Sequence, residues 1–301
     1  MKILVTGSKG FIGSYLVPEL ETAGYEVVGI DRENGDLSHR NIIEIWLDDE
    51  KPDIVVHLAA QVSRLLSEDD PGNTVLCNAV VTTYMARACT ERGIKLVYTS
   101  TSDVYGNHGD KLCDETVTDF RPQNIYAMSK LWGEEACRLY MKPEDLLIMR
   151  LSMPYGPGQT PGRGLFPVGR GRAAIINFLY QALHQLPMPV HIGAERSLCY
   201  VTDTVRAMRM LIEQGKTGVW NVGRDDDARS ITDIARLACD LTGAPDSLIA
   251  EIPPPPIQVV IKRLSMQKIR TIGWKPEVSL EDGMWKVLEW VKTLPGPDSQ
   301  S

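Results

Sequence analysis

The sequence lacks the marks of metal and disulfide chemistry. Its six cysteines (Cys77, Cys89, Cys113, Cys137, Cys199 and Cys239) form no CxxC pair, and its five histidines make no Cys/His cluster at metal-ligand spacing. Scattered thiols of this kind fit a reduced, cytoplasmic protein. Long apolar runs are missing too: none approaches the length of about 18 residues that a membrane span needs. The N-terminus MKILVTGSKG has only a short apolar run after Lys2, which predicts no secretory leader. Excess positive charge is the third absence. With 32 Lys and Arg against 39 Asp and Glu, the net charge is -7, which argues against nucleic acid or an anionic membrane as partner. An anionic ligand must then be held by local positive groups.

What is present is ordinary globular material: 301 residues, 43% hydrophobic and 24% charged, with no internal repeat. That length predicts a large nucleotide-binding domain and a smaller appended one. Short apolar strands are expected at 2–6, 26–30, 53–58, 95–100 and 146–151, alternating with amphipathic helical stretches, the pattern of a parallel sheet with crossover helices. Helices are expected after Gly10, then over 73–92, 126–141, 173–186, 203–214, 230–243 and 280–294. The fold class is therefore α/β, a doubly wound parallel sheet with a smaller C-terminal α/β lobe. The Gly/Pro/Arg-rich stretch GPGQTPGRGLFPVGRGR marks a boundary between a domain over 1–157 and a lobe over 158–295. Parts of the later chain are free to return to the first domain. IPPPPI reads as a stiff spacer and 296–301 as a frayed tail.

KILVTGSKGFIGSYL places Gly7, Gly10 and Gly13 between a strand and a helix, with Phe11 and Ile12 inside the motif. Glycines there let the backbone turn tightly and approach a pyrophosphate, whose charge the helix N-terminus favours. A plain tight turn is the alternative for this GxxGxxG spacing. The second strand ends at Asp31, 18 residues after Gly13, where a carboxylate accepts hydrogen bonds from ribose hydroxyls and repels a 2′-phosphate. NAD is thereby favoured over NADP, though Arg32 blurs the choice. Asp36 and Leu37 either flank the adenine or form a turn.

NIYAMSKLWGEEA holds Tyr126 and Lys130 four residues apart, on one face of a helix. Tyrosine, with an ordinary pKa of about 10, is a poor base at neutral pH. A lysine ammonium and an oxidised nicotinamide beside it stabilise the phenolate, which then takes a substrate hydroxyl proton as hydride leaves the same carbon.

TGSKGFIG, HLAAQ, Asn78, TSTSDVYG, YAMSK and RLSMPYGPGQ together resemble the extended short-chain dehydrogenase/reductase family, the sugar-nucleotide epimerases and dehydratases. The likeness continues through ERSLCYVTD, GVWNVG and LSMQKIRTIGWKPEVSLEDGM, nearly the whole chain. It implies a Rossmann domain binding NAD, with Leu58, Ala59, Ala60, Gln61 and Thr99 around the cofactor, and a C-terminal lobe holding a nucleoside-diphosphate sugar. It also implies that Thr101 bonds the reacting sugar hydroxyl, that Tyr126 is the base and that Lys130 anchors the nicotinamide ribose. Arg196 and Arg263 match the arginines that grip the diphosphate and nucleotide, and Ser102 joins Thr101 at the substrate. Asn78 is either a helix-stabilising residue or a substrate contact. Helices 73–92 and 126–141 resemble the pair through which relatives dimerise, so a homodimer is expected.

Three positions depart from the pattern: Met153 where asparagine is usual, a short segment over 193–201, and Ser265 where a late aspartate stands. All surround the expected sugar-nucleotide site. The reaction itself turns on Thr101-Ser102-Asp103. Dehydratase relatives resemble TDEVYG, with an Asp-Glu pair, and decarboxylase relatives TSEVYG. Ser102 cannot protonate a leaving hydroxyl, which weighs against a dehydratase. Asp103 is either a further acid/base or a turn residue accepting backbone N–H bonds. The leading expectation is an NAD-dependent 4-epimerase of a nucleoside-diphosphate sugar, ahead of a decarboxylase or 4,6-dehydratase. A 4-keto-sugar reductase, which Asp31 disfavours, and a silent NAD-sensing regulator, which the intact Tyr126 and Lys130 disfavour, stand behind these.

Overall fold

The computed structural model describes residues 1–62, 64–159, 174–254 and 261–297. Most of the Gly/Pro/Arg-rich stretch, the spacer from Pro255 onward and the tail from residue 298 lie outside them. Five apolar runs form strands β1 (Lys2–Thr6), β2 (Glu26–Ile30), β3 (Ile54–His57), β4 (Lys95–Thr101) and β5 (Leu146–Leu151), each within two residues of its expected bounds. Then come β6 (Pro154–Tyr155), β7 (Met188–His191), β8 (Glu195–Ser197), β9 (Cys199–Tyr200), β10 (Gly218–Val222), β11 (Ala228–Ser230) and β12 (Ile249–Ile252). A six-stranded parallel sheet runs in the order β10-β5-β4-β3-β1-β2.

The inner strands β1, β3, β4 and β5 are buried on both faces, which is why they read as continuous apolar runs instead of alternating ones. Ile3, Val5, Val56, Val97, Leu147 and Met149 face one core, and Leu4, Val55, Leu96, Tyr98 and Ile148 face the other. Helices α1 (Gly13–Thr22), α2 (Arg40–Glu50), α3 (Arg64–Asp69), α4 (Pro71–Val75), α5 (Val81–Arg92) and α6 (Ile125–Tyr140) connect the strands. Later come α7 (Ala174–Leu183), α8 (Val201–Glu213), α9 (Ile231–Thr242), α10 (Gln267–Arg270) and α11 (Leu280–Val291).

Several helices depart from the sequence expectation. Helices α2, α3 and α10 are not among the expected ones. The helix expected over 73–92 is broken by a π turn, Leu76–Val80, between α4 and α5. Asn78, fully buried in that turn, accepts the Gln61 N–H (2.7 Å) and donates to Gln61 O (2.8 Å) and Ser129 Oγ (3.0 Å). The wider turn aims this amide at the loop after β3, tying loop and α6 together.

In the later chain, β10 pairs beside β5, and α8 packs on α1, where Arg209 meets Glu19 at 2.7 Å. Strand order reverses between β1 and β3, and the C-terminal ends of those strands open a crevice, the position at which doubly wound sheets take ligands. No helix among the described residues is long and apolar enough to cross a membrane.

Candidate active site

That crevice is the mouth of a cavity of about 730 Å³ running from the β1–α1 turn past β4 and α6 to the C-terminal segment. At one end lie Gly7, Gly10, Phe11, Ile12 and Gly13. Gly7 adopts φ +70°, and a Cβ on it would press on Ala59 N at 2.9 Å. A Cβ on Gly13 would strike the carbonyl oxygens of Gly7 and Ser8. The glycines thus keep turn and helix mouth in contact and the backbone bare toward the cavity. Asp31, closing β2, accepts N–H bonds from Lys9 (3.1 Å) and Arg32 (2.8 Å), so its carboxylate is held over the turn. Arg32, Asp36, Leu37, Leu58, Ala59, Ala60 and Thr99 also line the wall. Gln61 does not; its backbone is engaged by Asn78 instead.

Midway, the end of β4 and the start of α6 face each other. Thr101 ends the strand, and its Oγ1 accepts the Asp103 N–H at 3.2 Å, capping the turn Ser102–Val104. Helix α6 is capped by Asn124, whose side chain accepts the Ala127 N–H at 2.9 Å, which places Tyr126 and Lys130 on the first two turns. All of Thr101, Ser102, Asp103, Tyr126 and Lys130 line the cavity. Lys130 is 3% exposed and donates to Thr99 O at 2.7 Å. Burial pushes its ammonium down to about 8, against the opposing pull of Cys137 and Glu134. The neighbouring His57, buried and bonded to Thr6 Oγ1 at 2.8 Å, is pushed down to about 3 by burial and by the Lys130 charge. It is therefore neutral at physiological pH and adds no positive charge beside the lysine.

Behind α6 a buried ion pair fixes the helix to the sheet. Glu134, fully buried, accepts from Arg150 Nη2 (2.7 Å) and Nε (2.9 Å) and from Ser100 Oγ (2.5 Å). Burial works against its charge, but the Arg150 bonds and charge, with the Ser100 bond and the charge of Arg138 at 2.8 Å, outweigh it and hold the carboxyl below its ordinary range.

At the far end stand Arg196 and Lys262. Arg196, 7% exposed on β8, lines the cavity and donates to Glu195 O at 2.6 Å. Arg263 does not line it: the side chain is 46% exposed and sits 3.5 Å from Asp110 and from Glu195. Its neighbour Lys262 points in, ion-paired with Asp103 and 3.3 Å from Ser102 Oγ. Lys262, and not Arg263, therefore stands on the cavity wall in this segment. Met153, at φ +46°, lines the cavity, whereas Ser265 is buried away from it, accepting the Gln267 N–H.

The profile of the NAD dependent epimerase/dehydratase family matches residues 3–223. This chain belongs to that family. A UDP-glucose 4-epimerase from Mycolicibacterium smegmatis is 30% identical over 97% of this chain and 99% of its own length. A mouse dTDP-D-glucose 4,6-dehydratase is 26% identical over 97% of this chain and 88% of its own. Among solved structures, the UDP-glucose 4-epimerase of Thermus thermophilus in complex with NAD superposes with a TM-score of 0.86 at 26% identity, covering 97% of this chain and 99% of that one.

As a member of an NAD-dependent family, the chain has the parts that such a cofactor needs. The bare glycine backbone at the α1 mouth suits a pyrophosphate, and the Asp31 carboxylate suits a ribose diol. The buried Lys130 lines the same cavity as Thr101 and Tyr126. When bound there, NAD supplies a reversible hydride acceptor.

Proposed function

We propose that this chain is an NAD-dependent 4-epimerase of a nucleoside-diphosphate sugar. The cavity would hold the nucleotide sugar with its diphosphate toward Arg196, the buried cation that an acidic molecule needs for an anionic ligand. Thr101 Oγ1 holds the sugar 4-hydroxyl, and Tyr126, as phenolate, takes its proton. Lys130 stabilises that phenolate by its charge. Rotation of the keto sugar then presents its other face, and Tyr126 returns the proton to the inverted alcohol. Such a cycle needs no further acid or base.

The observation that carries this reading is the company that Asp103 keeps. A dehydratase or decarboxylase role would use it as a second acid/base, yet its carboxylate is engaged by Lys262, and its neighbour is Ser102. Relatives named 4-epimerase and 4,6-dehydratase both align over 97% of the chain, so overall likeness does not choose between them. Incubation with a panel of uridine-, thymidine- and guanosine-diphosphate sugars tests the proposal. It predicts interconversion of a C4 pair without loss of water or CO₂; a 4-keto-6-deoxy sugar or a pentose as sole product defeats it.

A further inference from the structure

The sugar end of the cavity contains an ion pair whose members are 159 residues apart in sequence. Lys262 and Asp103 side chains are 7% and 19% exposed, and both line the cavity beside Thr101 and Tyr126. Lys262 is no wandering surface lysine. Its segment is anchored by Cys113 N to Arg263 O and Ser265 N to Cys113 O, both 2.9 Å, and by Met266 N to Asp225 Oδ2 at 2.9 Å. A largely buried ion pair contributes little net stability, since desolvation offsets its attraction. The reason for placing one here is to be sought in the chemistry of the site.

A 4-keto hexose is vulnerable at C5. A base that removes the C5 proton leaves the bond pair as an enolate. The C6 hydroxyl, β to the carbonyl, can then depart with a proton as water, leaving a C5=C6 enone. Asp103 shares a turn with the Thr101 hydroxyl that would touch the adjacent C4, so its carboxylate is the base within reach. An ammonium in contact favours the ionised carboxylate and weakens its pull on a proton.

We propose that Lys262 is a positioning residue for reaction specificity, holding Asp103 as a spectator so that the keto sugar keeps its C5 hydrogen and C6 hydroxyl. This rests on the epimerase reading above.

The test supplies a nucleoside-diphosphate 4-keto-6-deoxyhexose in D₂O to the NAD-loaded wild type, Lys262→Met and Lys262→Arg, and reads C5 deuterium by mass spectrometry. Lys262→Met is expected to exchange C5 about tenfold or more faster than wild type, and Lys262→Arg to restore the slow rate. Exchange by Lys262→Met at or below the wild-type rate, or Lys262→Arg behaving like Lys262→Met, overturns the proposal. Should Lys262→Met fail to fold by circular dichroism, Lys262→Gln replaces it with the same two outcomes. The probe needs no oxidation step, so absence of C4 epimerisation in a parallel wild-type assay would count against the reaction and leave the exchange result to judge Lys262.

Discussion

At the scale of single residues, the proposed proton chemistry falls on Tyr126 and its tuning on Lys130. Tyr126→Phe should lower kcat by about 10²–10⁴-fold, the usual contribution of a positioned base, as read by steady-state assay on the best nucleotide sugar. Lys130 gives the pH dependence. Its ammonium is the form that stabilises the phenolate, and burial sets its loss near about 8. The rate should therefore fall as pH rises through that value, and Lys130→Arg, a permanent cation, should move this limb upward at a lower overall rate. A profile with no alkaline limb in either protein would contradict the assignment. Residue-scale legibility followed what a residue must do to the backbone or to a neighbour on its own element. Gly7 and Gly13 could be read because no side chain fits there, and Tyr126 with Lys130 because helical spacing puts them on one face. Lys262 could not be read as the partner of Asp103, because nothing local reports a contact across 159 residues.

At the scale of elements, the site depends on how α6 is held to β4 and β5. Glu134, Arg150 and Ser100 come from those three elements and meet with almost no exposure. Glu134→Ala leaves Arg150 buried without its carboxylate, and a loss of about 3–5 kcal/mol is expected in urea denaturation. The pair also has a direction in pH. Because Glu134 is held below its ordinary range in the fold, its contribution is complete above the unfolded value and is lost as pH falls through the lowered one. A Glu134→Ala variant should accordingly show a flatter acid limb of stability than the wild type. The inner sheet strands were legible because burial on both faces writes an unbroken apolar run. The π turn at 76–80 was not, because its cause is one side chain, Asn78, reaching to a loop that periodicity does not see.

At the scale of the whole molecule, the 1–157 and 158–295 division names where chain texture changes, while β10 and α8 carry the second part back onto the first. The sequence left such a return open without naming the elements, since a parallel strand joining the edge reads like any other strand. We also propose that the molecule is a homodimer through α5 and α6. On α6, Trp132 is 45%, Tyr140 37% and Leu139 79% exposed, an apolar surface that a second copy would cover. Light scattering after size exclusion should give twice 33.5 kDa, and Leu139→Glu should shift it toward the monomer; a wild-type monomer would refute the pairing. The reaction proposed for this chain is reversible oxidation at C4 with nothing lost from the sugar. It is tested most directly with a nucleoside-diphosphate hexose deuterated at C4, followed by NMR in ordinary water. A C4 epimer that retains its deuterium at C4 is the expected product, and one with that deuterium moved to C6, or lacking water or CO₂, would contradict the assignment.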